Sequence, residues 1–221
     1  MAKQLQRQIE GLKQKILFVG TLVEEAIAKA VSALVNRDRN LAHTVIDEDD
    51  EIDRMEVDVE EEVLKILALY QPVAADLRFV IAVLKINNDL ERMGDLARNI
   101  AKRVVFITRF ERFDLPVDFR DMASRAQSMV KQSLDALVNA DAALARSVCE
   151  ADDEVDTLRR NINDQIEKQI GVRPELTECL MRLTSVSRHL ERLADMATNI
   201  AEDVIYMVEG EIVRHRPSES S

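Results

Sequence analysis

The sequence predicts an all-α protein, a tandem duplication of a three-helix antiparallel bundle with six long helices and pseudo-twofold symmetry. Three observations carry that prediction. Only 5 Gly and 4 Pro occur in 221 residues, too few for the turns of a β-sandwich or barrel. Aromatic residues make up 4%, charged residues 32% and hydrophobic residues 47% of the chain, and Trp is absent. That balance suits long amphipathic helices with cores of Ala, Val, Leu, Ile and Met. Finally, several segments of the first half return in the same order in the second.

The first helix is read over 12–35, where Leu12, Ile16, Val19, Val23, Ile27, Ala30 and Leu34 recur every three or four residues along one face. The pattern pauses at NRDRN (36–40), where Asp38 or Asn40 is placed to cap a second helix. That helix runs to about Leu69 with Ile52, Met55, Val59, Val63 and Ile66 inward. Pro72 ends it and is expected in the first turn of a third helix, which continues through Leu84, Leu90 and Ile100 to about Thr108. ERFDLPVD (111–118) reads as the linker, with Asp118 as a cap.

Beyond the linker the pattern starts again. ALVNRD (33–38) returns as ALVNAD (136–141), and VIDEDDEID (45–53) as VCEADDEVD (148–156). LERMGDLARNIA (90–101) returns as LERLADMATNIA (190–201). A period of about 100 residues is too long for a solenoid unit. The expected organisation is a bundle over 1–110, a linker over 111–117, a second bundle over 118–210 and a disordered tail over 211–221. Helices of roughly 30 residues would be about 45 Å long.

Composition also excludes functions. A formal net charge of −11 argues against a nucleic-acid partner, and against binding free phosphate unless positive charge is concentrated somewhere. Cys149 and Cys179 have no motif spacing and read as small apolar residues in a reducing compartment. The N-terminal MAKQLQRQIEGLKQ has no apolar segment, and no uncharged apolar run approaches 18 residues. A cytoplasmic protein is expected.

Acidic residues recur as pairs four apart: Glu91 and Asp95, Glu191 and Asp195, Asp49 and Asp53, Asp152 and Asp156. This spacing puts two carboxylates on nearly one helix face, about 6 Å apart along the axis. Such pairs arise readily in a chain with 41 acidic residues; their recurrence at matched positions of both halves is the stronger signal. Like charges at this spacing cost about 0.2–0.5 kcal/mol, so something positive is expected beside them. One reading is a hard cation held among oxygen ligands, with Asn99 and Asn199 one turn on. The other is an interhelical ion-pair network through Arg92, Arg192, Arg98 or Arg188.

Catalytic constellations are missing from the sequence. His43, His189 and His215 are the only histidines, and none forms the Glu-x-x-His pair of a di-iron bundle. There is no Gly-rich phosphate loop and no H-E-x-x-H. His189, whose counterpart is Asp89, reads as a surface or capping residue rather than a further ligand. Phe106, Phe110, Phe113 and Phe119 crowd the junction, either joining the bundles or forming a docking patch.

The duplicated unit, the paired acids and the phrase LERxxDxAxNIA resemble the PhoU family. The resemblance runs from FVGTLVEEAIAKAVSAL through QPVAADLR (71–78) to IAEDVIYMVEG (200–210), with VRPELTE replacing the fuller QPVAADLR turn in the second copy. It implies two three-helix bundles, commonly as a homodimer, and no enzyme. It also implies negative regulation of phosphate uptake and of the phosphate-starvation regulon. In that role the protein couples the ATPase subunit of the phosphate ABC transporter to a sensor histidine kinase; a separate expectation is peripheral contact at the inner face of the membrane through a metal bridge to anionic lipid. By position, the resemblance implies Fe, Zn, Mn or Mg at Glu91, Asp95, Glu191 and Asp195, then at Asp49, Asp53, Asp152 and Asp156, with Arg92, Arg192, Asn99 and Asn199 as partner-facing residues. Competing readings are a carboxylate-bridged oxidoreductase or metal store, and a purely structural helical adaptor. Phosphate is expected to be sensed indirectly, through partners or a metal bridge.

Overall fold

A computed structural model describes residues 2–110 and 117–210; most of the expected linker (111–116), the tail (211–221), Phe113 and His215 lie outside the described residues. Six α-helices follow in order: α1 (Ala2–Asn36), α2 (Arg39–Tyr70), α3 (Ala74–Ile107), α4 (Arg120–Asn139), α5 (Ala142–Val172) and α6 (Thr177–Glu209). A single 3-10 turn, Pro174–Leu176, precedes α6. α1–α3 form one bundle and α4–α6 the other.

Each core is built by the apolar stripes read from sequence. Leu12, Ile16, Val19 and Val23 of α1 meet Val59, Val63 and Ile66 of α2 and Val83, Ile86, Leu90 and Ile100 of α3, all without solvent exposure. Burying each such side chain contributes about 1.5–3 kcal/mol. In the second bundle Met122, Ala126, Val148, Val155, Ile166, Leu183, Leu190 and Ile200 do the same.

The first turns of the two bundles match atom for atom. Arg37 (φ 53°) and Ala140 (φ 51°) both take the left-handed conformation. The amides of Asp38 and Asp141 then donate to the carbonyls of Ala33 and Ala136, each at 2.9 Å, closing the outgoing helix in a Schellman-type turn. Asp38 Oδ1 accepts from the Asn40 and Leu41 amides at 2.9 and 3.0 Å. Asp141 Oδ1 accepts likewise from Ala143 and Leu144, at 3.0 Å each. Asp38, not Asn40, is therefore the cap, satisfying two amides that the helix itself leaves unpaired.

Four details differ from the sequence reading: α1 begins at Ala2 rather than near residue 12, Phe119 rather than Asp118 is the N-cap of α4, and the other two concern Pro72 and the length of α4. Pro72 lies outside the first turn of α3: Gln71 closes α2 in a left-handed conformation and extended Val73 is the N-cap, so Pro72 serves the chain reversal. α4 has 20 residues against 35 for α1, because it begins just after the Pro116-containing segment. Phe119 and Val117, ahead of α4, are buried against the core.

The bundles join mainly through α3 and α6, which run antiparallel, with a smaller contact of α1 on α4 in which Gly20 packs against Leu134. Arg78 Nε donates to the Met207 carbonyl at 3.2 Å, Lys85 Nζ donates to Asp203 Oδ1 at 3.2 Å, and Arg182 stacks over Phe106 with its guanidinium carbon 4.7 Å from the ring centroid. In this register each step up α3 matches a step down α6, so Gly94 lies level with Ala194, where the pseudo-twofold passes.

Gly94 is required by close packing. A Cβ there would sit 3.0 and 3.2 Å from Ile52 Cδ1 and Cγ2. At the matching positions of the second bundle the volumes are exchanged, Ala194 and Val155. Gly94→Ala is expected to destabilise the protein by about 1 kcal/mol through overpacking. In an Ile52→Val background the same change should instead stabilise, by up to about 1 kcal/mol of helix propensity. Urea unfolding of the four proteins in this cycle measures both; equal effects of Gly94→Ala in the two backgrounds would contradict the packing account.

Candidate functional site: two carboxylate clusters beside the interbundle seam

α2 and α3 turn Asp49 and Asp53 toward Glu91 and Asp95, and α5 and α6 turn Asp152 and Asp156 toward Glu191 and Asp195. The mutual repulsion is felt by each set. Burial, then the neighbouring Asp95, Asp53, Glu56 and Asp49 carboxylates, raise the pKa of Glu91. Burial, then Asp195, Asp156, Asp153 and Glu191, push Asp152 up to about 6. All eight predicted acids are thus gathered, four in each bundle.

The two clusters are balanced differently. In the first, Arg98 of α3 reaches across to Asp49 of α2 while also pairing with Asp95 on its own helix. Asp49 is only 4% exposed; burial raises its pKa and Arg98 opposes that rise. In the second, Thr198 stands where Arg98 would be and turns its hydroxyl back to the Ala194 carbonyl at 3.1 Å. The cation comes from α5 instead: Arg159 Nε lies 3.4 Å from Glu191 Oε1 and 4.0 Å from Asp156 Oδ1. This is an ion pair without hydrogen-bond alignment, since that Nε has no hydrogen-bond partner. Arg98 was a candidate partner from sequence. Arg159 was missed, and its one signal was a break in the repeat, Arg where the first copy has Glu56.

This geometry bears on metal binding. Among the described residues no three His, Cys, Asp or Glu side chains converge closely enough to hold an ion. In the first cluster the Arg98 guanidinium already sits between two carboxylates in the place a cation would take, so this cluster does not fit a metal. In the second, the Asp152–Asp195 end has oxygen donors suited to a hard cation. Arg159 lies nearest Glu191 and Asp156 and, with Arg192, also acts on Asp195, while burial and four carboxylates are the leading influences on Asp152. Asp195 itself is solvent-exposed, so the burial and repulsion that raise its pKa are partly screened.

Beside the first cluster, the seam between the bundles opens into a cleft of about 560 Å³ lined by Glu56, Lys85, Asp89 and Arg92 on one side and Asn199 on the other. Arg92 and Asn199 thus share one cleft. Arg192 is exposed and Asn99 half-buried. His189 is neither the surface residue nor the cap that the sequence predicts. It lies mid-α6, half-buried, with neither ring nitrogen hydrogen-bonded. Burial and then Arg103, Arg192 and Arg188 pull its pKa down to about 4.

Phe106, Phe110 and Phe119 serve the junction. Phe106 packs against Phe110 with centroids 5.6 Å apart, Arg182 caps Phe106 from the other bundle, and Phe119 is 2% exposed. Cys149 and Cys179 are unbridged, and burial pushes the Cys149 thiol up to about 11, as befits an unreactive apolar residue.

The fold and its clusters define a class: two like three-helix bundles joined through their third helices, each carrying a carboxylate cluster between its second and third helices. The family described as PhoU domain matches residues 16–104 and again 119–204, and the chain belongs to that family. It is 39% identical over 210 residues, 95% of each chain, to the phosphate-specific transport system accessory protein PhoU homolog of Aquifex aeolicus. Against the homolog so named from Pseudomonas aeruginosa it is 37% identical over 218 residues, covering 97% of this chain and 89% of that one. The crystal structure of PhoU from Pseudomonas aeruginosa superposes with a TM-score of 0.90 at 36% identity, over 93% of this chain and 99% of that one. The phosphate transport system regulatory protein PhoU from Streptococcus pneumoniae gives 0.85 at 30% identity, over 95% and 99%.

The unequal charge balance has a measurable consequence. A carboxyl whose folded pKa is raised favours the fold while protonated, and that contribution is lost as pH climbs through about 6 for Asp152. In chelator-treated protein, Asp152→Asn is expected to raise Tm at pH 7.5, with the gain vanishing toward pH 4. Arg98→Gln is expected to lower stability by roughly 2 kcal/mol at pH 7.5, less than the loss for a fully buried pair because the arginine is partly exposed. Thermal unfolding at the two pH values reads both, and effects of the same sign at pH 7.5 would contradict the assignment.

Proposed function

We propose that this chain is a negative regulator of phosphate uptake and of the phosphate-starvation regulon, acting by protein contacts rather than by catalysis. The observation that carries the reading is the pair of PhoU domains spanning nearly the whole described chain, in the arrangement of a PhoU crystal structure. Relatives along almost its full length are named accessory proteins of a phosphate-specific transport system. Its partners in this reading are the ATPase subunit of the phosphate ABC transporter and the sensor histidine kinase of the regulon, with a homodimer as the working unit. No helix among the described residues is long and apolar enough to cross a membrane, so contact with the membrane's inner face runs through these partners or through lipid headgroups.

A divalent or iron-type ion (Fe, Zn, Mn or Mg) belongs to the same reading at the second cluster only. The Asp152 and Asp195 carboxylates supply hard oxygens there, and their mutual repulsion is what a cation would relieve. The bound ion would neutralise this face without displacing Arg159 from Glu191.

One purification tests both statements. From phosphate-replete cells, the wild-type chain is expected to bring down the transporter ATPase and the kinase and to carry metal by elemental analysis, whereas Asp152→Asn with Asp195→Asn should carry little. Recovery of neither partner would contradict the regulatory reading, and equal metal in the two proteins would contradict the assigned ligands.

A further inference from the structure

The pseudo-twofold relates two faces of the α3–α6 seam, and their charges are opposite. On the first face stand Glu56, Asn88, Asp89 and Asp203; the matching positions on the second are Arg159, Arg188, His189 and Arg103. Every one of these replacements removes negative charge or adds positive charge. On the first face Asp203 pairs with Lys85 at 3.2 Å, but Ser185 stands at the lysine's counterpart, so the second face is not a mirrored ion pair.

We propose that Arg103, Arg188, His189 and Arg192 form a binding site for a phosphate-class oxyanion on this second face. The concentrated positive charge that a chain of net charge −11 would need to hold such an ion is gathered here. Arg103 comes from α3, the other three from adjacent turns of α6, and Asn99 of α3 lies level with His189 in the antiparallel register.

Unpaired polar groups give the second, independent argument. Arg103 Nε and both ring nitrogens of His189 are shielded from solvent and have no hydrogen-bond partner. More than nine in ten buried polar groups are satisfied in folded proteins; Arg98 Nε and Arg159 Nε are unpaired too but belong to arginines in ion pairs, whereas an oxyanion is what would satisfy Arg103 and His189. An oxyanion would accept from the guanidinium fork and from the imidazole together, in charge-assisted hydrogen bonds that arginine makes to phosphate geometry. Burial first, then the three arginines, disfavour the charged form of His189, and a bound oxyanion would relieve the second of these. Of the neighbouring carboxylates, Glu191 pairs with Arg159 at 3.4 Å; Arg188 also acts on Glu191 and Arg192 on Asp195, so an oxyanion shares these two arginines with the second cluster, whereas Arg103 is brought from the other bundle. Half-buried donors in a narrow helix seam suit a small ion or a single phosphoryl group.

The test uses the full chain freed of phosphate, titrated by calorimetry with inorganic phosphate in one arm and phenyl phosphate in another, with the three histidines followed by NMR. Saturable binding in either arm with a shift of the His189 ring signals is expected, the arm that binds tighter identifying a free ion or a phosphomonoester. Arg103→Gln with His189→Asn should weaken binding by about tenfold or more, as loss of charge-assisted bonds requires. Because that pair is partly buried, Arg188→Gln with Arg192→Gln provides an exposed pair that leaves the core intact and should also weaken binding several-fold. Asn88→Ala with Arg92→Gln, on the opposite face, should bind as the wild type does. No saturable binding in either arm, or unchanged affinity in both second-face pairs, would overturn the proposal.

Discussion

The antiparallel seam between α3 and α6 is the constraint on which the other features depend. Two similar bundles could meet through any of their helices, yet Lys85 with Asp203, Arg78 with the Met207 carbonyl and Arg182 with Phe106 hold these two in one register. The small pair Gly94 and Ala194 sits at its centre, where the pseudo-twofold brings the helices level. Once this seam is set, α2 and α5 are carried to opposite flanks, and each carboxylate cluster ends beside the seam.

Duplication left an electrostatic problem to be solved twice. Four acids between two packed helices repel one another, and burial sharpens the cost because water no longer screens them. The first bundle answers with Arg98 on α3, the second with Arg159 on α5. These are not equivalent positions: Thr198 stands opposite Arg98 and Glu56 opposite Arg159 in the repeat. The consequence is asymmetry inside a symmetric frame: Asp49 is paired with Arg98, whereas burial, then neighbours of its own sign, push the pKa of Asp152 up to about 6. The same divergence turned one face of the seam acidic and the other basic.

Much of the fold was legible in the sequence because it depends on period and repetition. A three-to-four spacing names the buried stripes of the first bundle, and the return of ALVN-x-D implied that the turn at 37 and the turn at 140 would be built alike, down to the capping aspartate. Elements set by local chain geometry were less legible. Pro72 stops α2 as expected, but whether it then begins α3 depends on the left-handed Gln71 and extended Val73, which no periodicity encodes. The acids were legible as clusters because both copies keep them. Arg159 and His189 were not, since a repeat-based reading weights what the copies share, and these residues act where the copies differ. His189 read as a surface residue because a lone histidine carries no spacing signal; its burial follows from the antiparallel seam, a tertiary fact.

Disulfide trapping across the seam tests this account most directly. In a background where Cys149 and Cys179 are alanine, cysteines at Phe106 and Arg182 are expected to cross-link readily under mild oxidation, with helicity retained. Cysteines at Phe106 and Tyr206, which only a parallel alignment of α3 and α6 would bring level, are expected to stay reduced. Efficient bridging of the second pair, or of neither, would contradict the antiparallel seam and with it the placement of both clusters and of the basic face.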